Sequence, residues 1–223
     1  MAVKINWAEA VKPLLKKYRK KKHPLEYKNL YQLIMMVVLS AQSTDHVVNL
    51  IAPAFFEAYP SMESLAKAKP EDLFRYISKV RNFRNKANWM IGIAKAIKKE
   101  ENIPLTMEEL VELPGIGRKS ASVIQREAGV KPEGVIVDLH VVRVAERLGI
   151  TKSSDPKQIE KDIMAVIPQK DWEVGMSISF LGRETCRPTD PKHAECVMNP
   201  VCMYYAALKK KSKPNPKSKK KSK

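Results

Sequence analysis

The sequence predicts an all-α fold, and three observations carry that expectation. Apolar residues recur at helical spacing in segment after segment, as in Trp7, Val11, Leu14, Leu15 and Tyr18. Helix-start signals precede several of these segments: Pro70-Glu71-Asp72, Thr106-Met107-Glu108-Glu109 and Asp155-Pro156. No stretch alternates apolar and polar residues for long enough to suggest a strand.

Taken in order, Trp7 to Tyr18 reads as one helix, made basic at its end by Lys16, Lys17, Arg19, Lys20, Lys21 and Lys22 before Pro24. Tyr31 to Leu39 is strongly apolar and is expected at the centre of the core. Asp45 to Tyr59 is the next helix, stopped before Pro60. Pro70 opens another, with acids in the first turn where the helix dipole favours them. Asn85 to Lys99 continues the pattern with Ala87, Met90, Ile91, Ala94 and Ile97. Thr106 to Glu109 is a capping box that starts a short helix running into Leu113-Pro114-Gly115, and Arg118 to Glu127 follows the turn. A loop spans Gly129 to Gly134, and Leu139 to Leu148 is helical. A further helix starts near Pro156, capped by Asp155 or alternatively Ser154, and Trp172 to Leu181 is the last core helix. No internal repeat is evident. The tail, 208–223, mixes Pro214-Asn215-Pro216 with lysines and serines and is expected to be disordered.

Composition narrows the function. With 223 residues, 44% of them hydrophobic, the chain suffices for one globular unit or two small lobes. The formal charge is +17, of which nine lysines lie in Lys209 to Lys223, leaving +8 on the body. Such a surface favours nucleic acid through counterion release. No apolar run approaches the roughly 20 residues that span a bilayer, and the N-terminus lacks the apolar core of a signal peptide. The three cysteines crowd into one short segment, which reads as metal ligation in a reducing compartment rather than a disulfide framework. A cytoplasmic or nucleoid location is expected.

The richest segment is Leu113-Pro114-Gly115-Ile116-Gly117-Arg118-Lys119-Ser120. Gly115 and Gly117 are expected to take positive φ and let a ligand approach the backbone. The amides there, with the start of the next helix, form a nest suited to phosphate. Lys119 offers an amine nucleophile, and Asp138, in Val137-Asp138-Leu139-His140, offers a carboxylate. Together they suggest covalent chemistry on a nucleic-acid backbone. The simpler alternatives are a phosphate-contacting Lys119 and an Asp138 that caps its helix.

These motifs resemble the helix-hairpin-helix DNA glycosylases, closest to the endonuclease III branch. The resemblance runs from about Leu30 to Cys202 and includes Leu39-Ser40-Ala41-Gln42-Ser43-Thr44-Asp45, Arg84-Asn85-Lys86-Ala87 and the spaced cysteines. It implies two helical lobes flanking a DNA-binding cleft. A six-helix lobe, 24–131, would carry the hairpin; 1–23 with 132–207 would form the other lobe and carry an iron–sulfur loop. Lys119 and Asp138 would face each other across the cleft.

The implied activity is that of a bifunctional DNA glycosylase and AP lyase of base-excision repair. It would act as a monomer on double-stranded DNA bearing an oxidised pyrimidine or an abasic site. Lys119 would displace the flipped base, form a Schiff base and permit β-elimination of the 3′ phosphate. An amine attacks only when unprotonated, so Lys119 is expected to be assisted by burial or by cations such as Arg118. Asp138 would stabilise the cationic sugar and move protons. Gln42 would fill the gap in the base stack, and Asp45 would cap or brace its loop. Gly115, Gly117, Arg118, His140, Arg187 and Lys192 would contact the DNA backbone, with His140 equally readable as a structural histidine.

The chain departs from the family at two places. Where a glycine and a large apolar wedge are usual, it has Arg81 and Asn82 in Val80-Arg81-Asn82-Phe83, which predicts an altered opposite-base preference. Phe83 would be the wedge if the register shifts by one. The family's C-x6-C-x2-C-x5-C spacing is kept as Cys186, His193, Cys196 and Cys202, with histidine in second place. A Cys3His-ligated [4Fe–4S] cluster is expected; zinc, or a degenerate site with free thiols, are the alternatives. Two other functions stay open: a glycosylase for uracil or thymine opposite guanine, and a non-catalytic helix-hairpin-helix DNA-binding module. The adenine-mismatch branch fits less well, because it lacks a lysine at this position and carries an extra domain.

Overall fold

The computed structural model describes residues 5–211, and among these every regular element is a helix. The chain divides into two compact units, one made of the residues up to Lys20 together with those from Gly134 onward, the other of Lys21–Glu133. No described helix is long and apolar enough to cross a membrane.

The first unit begins with α1 (Trp7–Ala10) and α2 (Lys12–Tyr18). The sequence suggested a single helix here. Pro13 has no N–H to donate and sits in the first turn of α2, so the run restarts around Val11. Trp7, Val11, Leu14, Leu15 and Tyr18 are all buried nonetheless.

The second unit is built around α3 (Leu30–Ser40), in which Tyr31 and every residue from Leu33 to Leu39 are buried. A helix apolar on all sides must be surrounded. It packs with α4 (Asp45–Ala58), α7 (Phe83–Ile97) and α9 (Arg118–Glu127). The short α5 (Met62–Ala66) and α6 (Pro70–Ile77) lie against α7, and α8 (Met107–Glu112) pairs with α9. The cap of α4 is Thr44, whose hydroxyl accepts from Val47 N–H, while Asp45 is the first helical residue. Thr106 caps α8 as its position predicts. The box is only half closed, because the Glu109 carboxylate takes the Thr106 hydroxyl at 2.6 Å.

The chain then returns to the first unit with α10 (Leu139–Leu148), α11 (Pro156–Val166), α12 (Val174–Glu184) and α13 (Met203–Lys211). Helix α10 packs on α11, α12 and α13, and α12 also packs on α2. Asp155 caps α11 by accepting from Gln158 N–H at 2.9 Å. The disordered tail expected from 208 does not begin there: residues 208–211 continue α13. Lys209 sits 4.6 Å from the centre of the Tyr205 ring one turn earlier, a cation–π contact that favours the helix. The rest of that tail lies outside the described residues.

Candidate functional site

The hairpin between α8 and α9 closes through Ile116 N–H donating to Leu113 O at 3.1 Å, with both side chains buried. Gly115 has φ +77°, and a Cβ there would lie 2.6 Å from the Trp89 ring of α7. Glycine is therefore demanded both by backbone conformation and by close packing. The expectation for Gly117 is not met: its φ is −95°, as extended backbone preceding a helix requires, and a Cβ would meet open space. Gly117 is the N-cap of α9 and no side chain caps it, so the first-turn amides face outward. Arg118 and Lys119 are the first two residues of that helix and both are exposed. Of the two aids expected for Lys119, burial is not found. Half-buried His23 lies within electrostatic reach of it; burial pushes that imidazole down to about 4, and Lys119 and Arg126 act in the same direction.

Two other tips belong to the same unit. Gln42 follows α3 and Asn82 precedes α7; both are exposed and both have φ +57°. Phe83 is half-buried, its ring edge-on to Phe74 at 5.1 Å, whereas Asn82 is exposed. Between them runs Lys86, which sequence reading quoted but gave no role. Its buried Nζ donates to Leu39 O at 2.8 Å and to Ala41 O at 2.6 Å. Burial pushes its ammonium down to about 8.

In the first unit, Asp138 is the N-cap of α10. Its Oδ1 accepts from His140 and Val141 N–H, each at 2.9 Å. Its Oδ2 accepts from the buried Ser179 hydroxyl at 2.6 Å and lies 3.8 Å from the Arg183 guanidinium. Ser179 and Arg183 lie one turn apart on α12, a spacing visible in sequence but without meaning until α12 is packed on α10. Beside them is a hollow of about 380 Å³ lined by His140, Arg183, Arg187 and Asp190 among others. The His140 ring faces the Arg143 guanidinium, with Nδ1 at 3.3 Å. Arg187 pairs with Asp190 at 3.2 Å, and Lys192 with Glu195 at 3.5 Å. Leu139, next to Asp138, is 83% exposed.

The cysteine segment lies in the same unit. Cys186 Sγ accepts from Arg147 at 3.3 Å, and Cys202 Sγ from Tyr205 N–H at 3.5 Å. Burial pushes the Cys196 and Cys202 thiols up. His193 stacks on the Tyr205 ring, with centroids 4.8 Å apart, so Tyr205 links the imidazole to Cys202. Among the described residues, no three or more His, Cys, Asp or Glu side chains converge to hold a metal ion. Three thiols and an imidazole are donors of the kind that bind an iron–sulfur cluster, and the N–H groups directed at Cys186 and Cys202 favour the thiolates that burial of Cys196 and Cys202 opposes.

The family description "HhH-GPD superfamily base excision DNA repair protein" matches residues 35–169. The chain is 40% identical to endonuclease III of Synechocystis sp. over 181 residues, 80% of this chain and 83% of the relative. It is 36% identical to endonuclease III of Bacillus subtilis over 182 residues, with 80% and 83% covered. A solved structure described as a trapped endonuclease III–DNA covalent intermediate, an estranged-adenine complex, aligns with TM-score 0.79 at 29% identity. That alignment covers 90% of this chain and 96% of the other. By sequence and by fold, the chain belongs to the HhH-GPD superfamily of base-excision DNA repair proteins, in its endonuclease III branch.

Proposed function

We propose that this protein is a DNA glycosylase and AP lyase that removes oxidised pyrimidines from double-stranded DNA. The observation that carries this reading is the capless, glycine-turned N-terminus of α9, which presents Lys119 beside outward-facing amides. Those amides and Arg118 bind phosphate, while Lys119 Nζ attacks C1′ of the flipped nucleotide. The C1′–N bond breaks, the base leaves, and the sugar ring opens to a Schiff base. Loss of a C2′ proton then expels the 3′ phosphate. Asp138 stabilises the positive sugar. Its Oδ1 is committed to the cap, so Oδ2, oriented by Ser179, is the oxygen that meets the substrate. Gln42 and Asn82 enter the duplex, and Asn82 sets the opposite-base preference. His140, Arg187 and Lys192 hold phosphates. Arg187 and Lys192 exchange their exposed carboxylate partners for the DNA at little cost, since such pairs contribute only ~0–1 kcal/mol.

Cys186, Cys196 and Cys202 with His193 are the residues that would hold a [4Fe–4S] cluster. The cluster would supply structure, pinning the loop that carries Arg187 and Lys192. The protein acts as a monomer at the chromosome, in a reducing compartment.

The decisive experiment incubates the chain with end-labelled duplexes carrying thymine glycol, uracil opposite guanine or an abasic site, with borohydride present. We expect a covalent complex that is strongest on thymine glycol and absent in Lys119→Gln. Base release without trapping would overturn the lyase assignment. Binding with no product would make the chain a binding module.

A further inference from the structure

Lys86 is 1% exposed, and no carboxylate is among its hydrogen-bond acceptors. Burying a lone ammonium is costly, and a leucine or methionine would fill the same space without that cost. What the ammonium supplies is connection. Its three protons meet three acceptors: Leu39 O at 2.8 Å, Ala41 O at 2.6 Å and Ser43 Oγ at 3.4 Å. These groups lie at and just beyond the C-terminal end of α3, where carbonyls lack helical partners and a positive charge is favoured. The second loop is tied to the same point. Lys86 N–H donates to Asn82 O at 3.1 Å, and Arg81 N–H donates to Ser43 Oγ at 3.1 Å.

Gln42 is therefore flanked by two held residues, Ala41 and Ser43, and Asn82 by a held Arg81 and its own bonded carbonyl. Each carries a Cβ in the left-handed region, a conformation that persists only where its surroundings enforce it. We propose that Lys86 is a positioning residue that fixes Gln42 and Asn82 as one preorganised pair of prongs for entering the duplex. This rests on the assignment of those two residues to the duplex made above. The ordering of both loops is completed in the free protein, so it is not left as a cost of binding.

The test compares the full chain with Lys86→Met and Ser43→Ala on two substrates. One is a duplex bearing thymine glycol; the other is a single-stranded oligonucleotide bearing an abasic site, in which no stack has to be opened. Borohydride trapping rates are the readout. Lys86→Met should lose about tenfold or more on the duplex, from the buried carbonyls left unpaired and the loosened loops, and stay within about twofold on the single strand. Ser43→Ala should shift the ratio the same way by less, and it carries the test if Lys86→Met does not fold. Equal losses on both substrates, or no loss on the duplex in either variant, would overturn the proposal. A wild-type chain that traps neither substrate would instead overturn the lyase assignment, and this inference with it.

Discussion

The second unit turns its backbone into the left-handed region in two ways. At Gly115 the residue itself bears the conformation, with φ +77° and a tryptophan ring where a side chain would be. At Gln42 and Asn82 the residues resist it, and a buried lysine 40 or more residues from its acceptors holds the first of them in place. A turn made by glycine is local and needs no support. A turn made against residue preference lets the tip keep a functional side chain, but it makes the loop depend on distant contacts.

The largest effect should come from breaking the local turn. Gly115→Ala meets both the left-handed penalty and the Trp89 ring, and should destabilise the protein by about 3 kcal/mol. Urea unfolding at unchanged slope would measure it. A loss of only a few tenths would mean that Trp89 moves aside easily.

Next comes the braced side, which titrates where the glycine turn does not. The Lys86 ammonium is lowered from the ordinary 10.5 to about 8. Between those values the unfolded chain binds more protons than the folded one, so this group makes stability rise with pH across that window and costs most below pH 8. Relative to Lys86→Met, wild-type stability should climb by about 2 kcal/mol from pH 8 to 10.5. The neutral amine keeps two N–H donors for the Leu39 and Ala41 carbonyls and a lone pair for the Ser43 hydroxyl, so the loops should stay in place. Denaturation midpoints at pH 8 and pH 10 for both proteins would check the difference.

The smallest effect sharpens the contrast from the other direction. Gln42→Gly relieves strain in the folded loop but enlarges the unfolded ensemble. We expect stability to rise by only ~0.5 kcal/mol while duplex trapping falls. Asn82→Gly should change stability less, because asparagine tolerates this region better than glutamine. A clear destabilisation by Gln42→Gly would show that the glutamine side chain, and not only its backbone, is held.

What was legible in the sequence follows the same division. The glycine hairpin, the start of α9 at Arg118, the Asp138 cap and the Asp155 cap are written in residues a few positions apart, and they fold as expected. The break at Val11 was legible too, in Pro13, but the continuous apolar stripe hid it. Lys86 was not legible: it donates to a carbonyl 47 residues away, and only the packing of α7 on α3 gives it acceptors. Ser179 and Asp138 are 41 residues apart, and their bond waits on α12 meeting α10. Gly117 carries no conformational requirement, because its backbone before the helix is ordinary, and a glycine in sequence does not distinguish a turn from an extended N-cap. His193 was placed by spacing alone, and its stacking on Tyr205 could not be read from that spacing.

The bonds from Lys86 also bear on how this enzyme can be altered. Ala41 and Ser43 accept from the Lys86 side chain, Asn82 accepts from the Lys86 backbone N–H, and Arg81 N–H donates to Ser43 Oγ, so the two loops form a single module with respect to exchange. A 41–43 loop lacking a hydroxyl at position 43 would lose its bond from the Arg81 N–H, and an 80–83 loop with proline at position 81 would lack the donor. Retargeting the enzyme to a new opposite base would therefore be best done with Lys86 and Ser43 kept while the tips at positions 42 and 82 are changed.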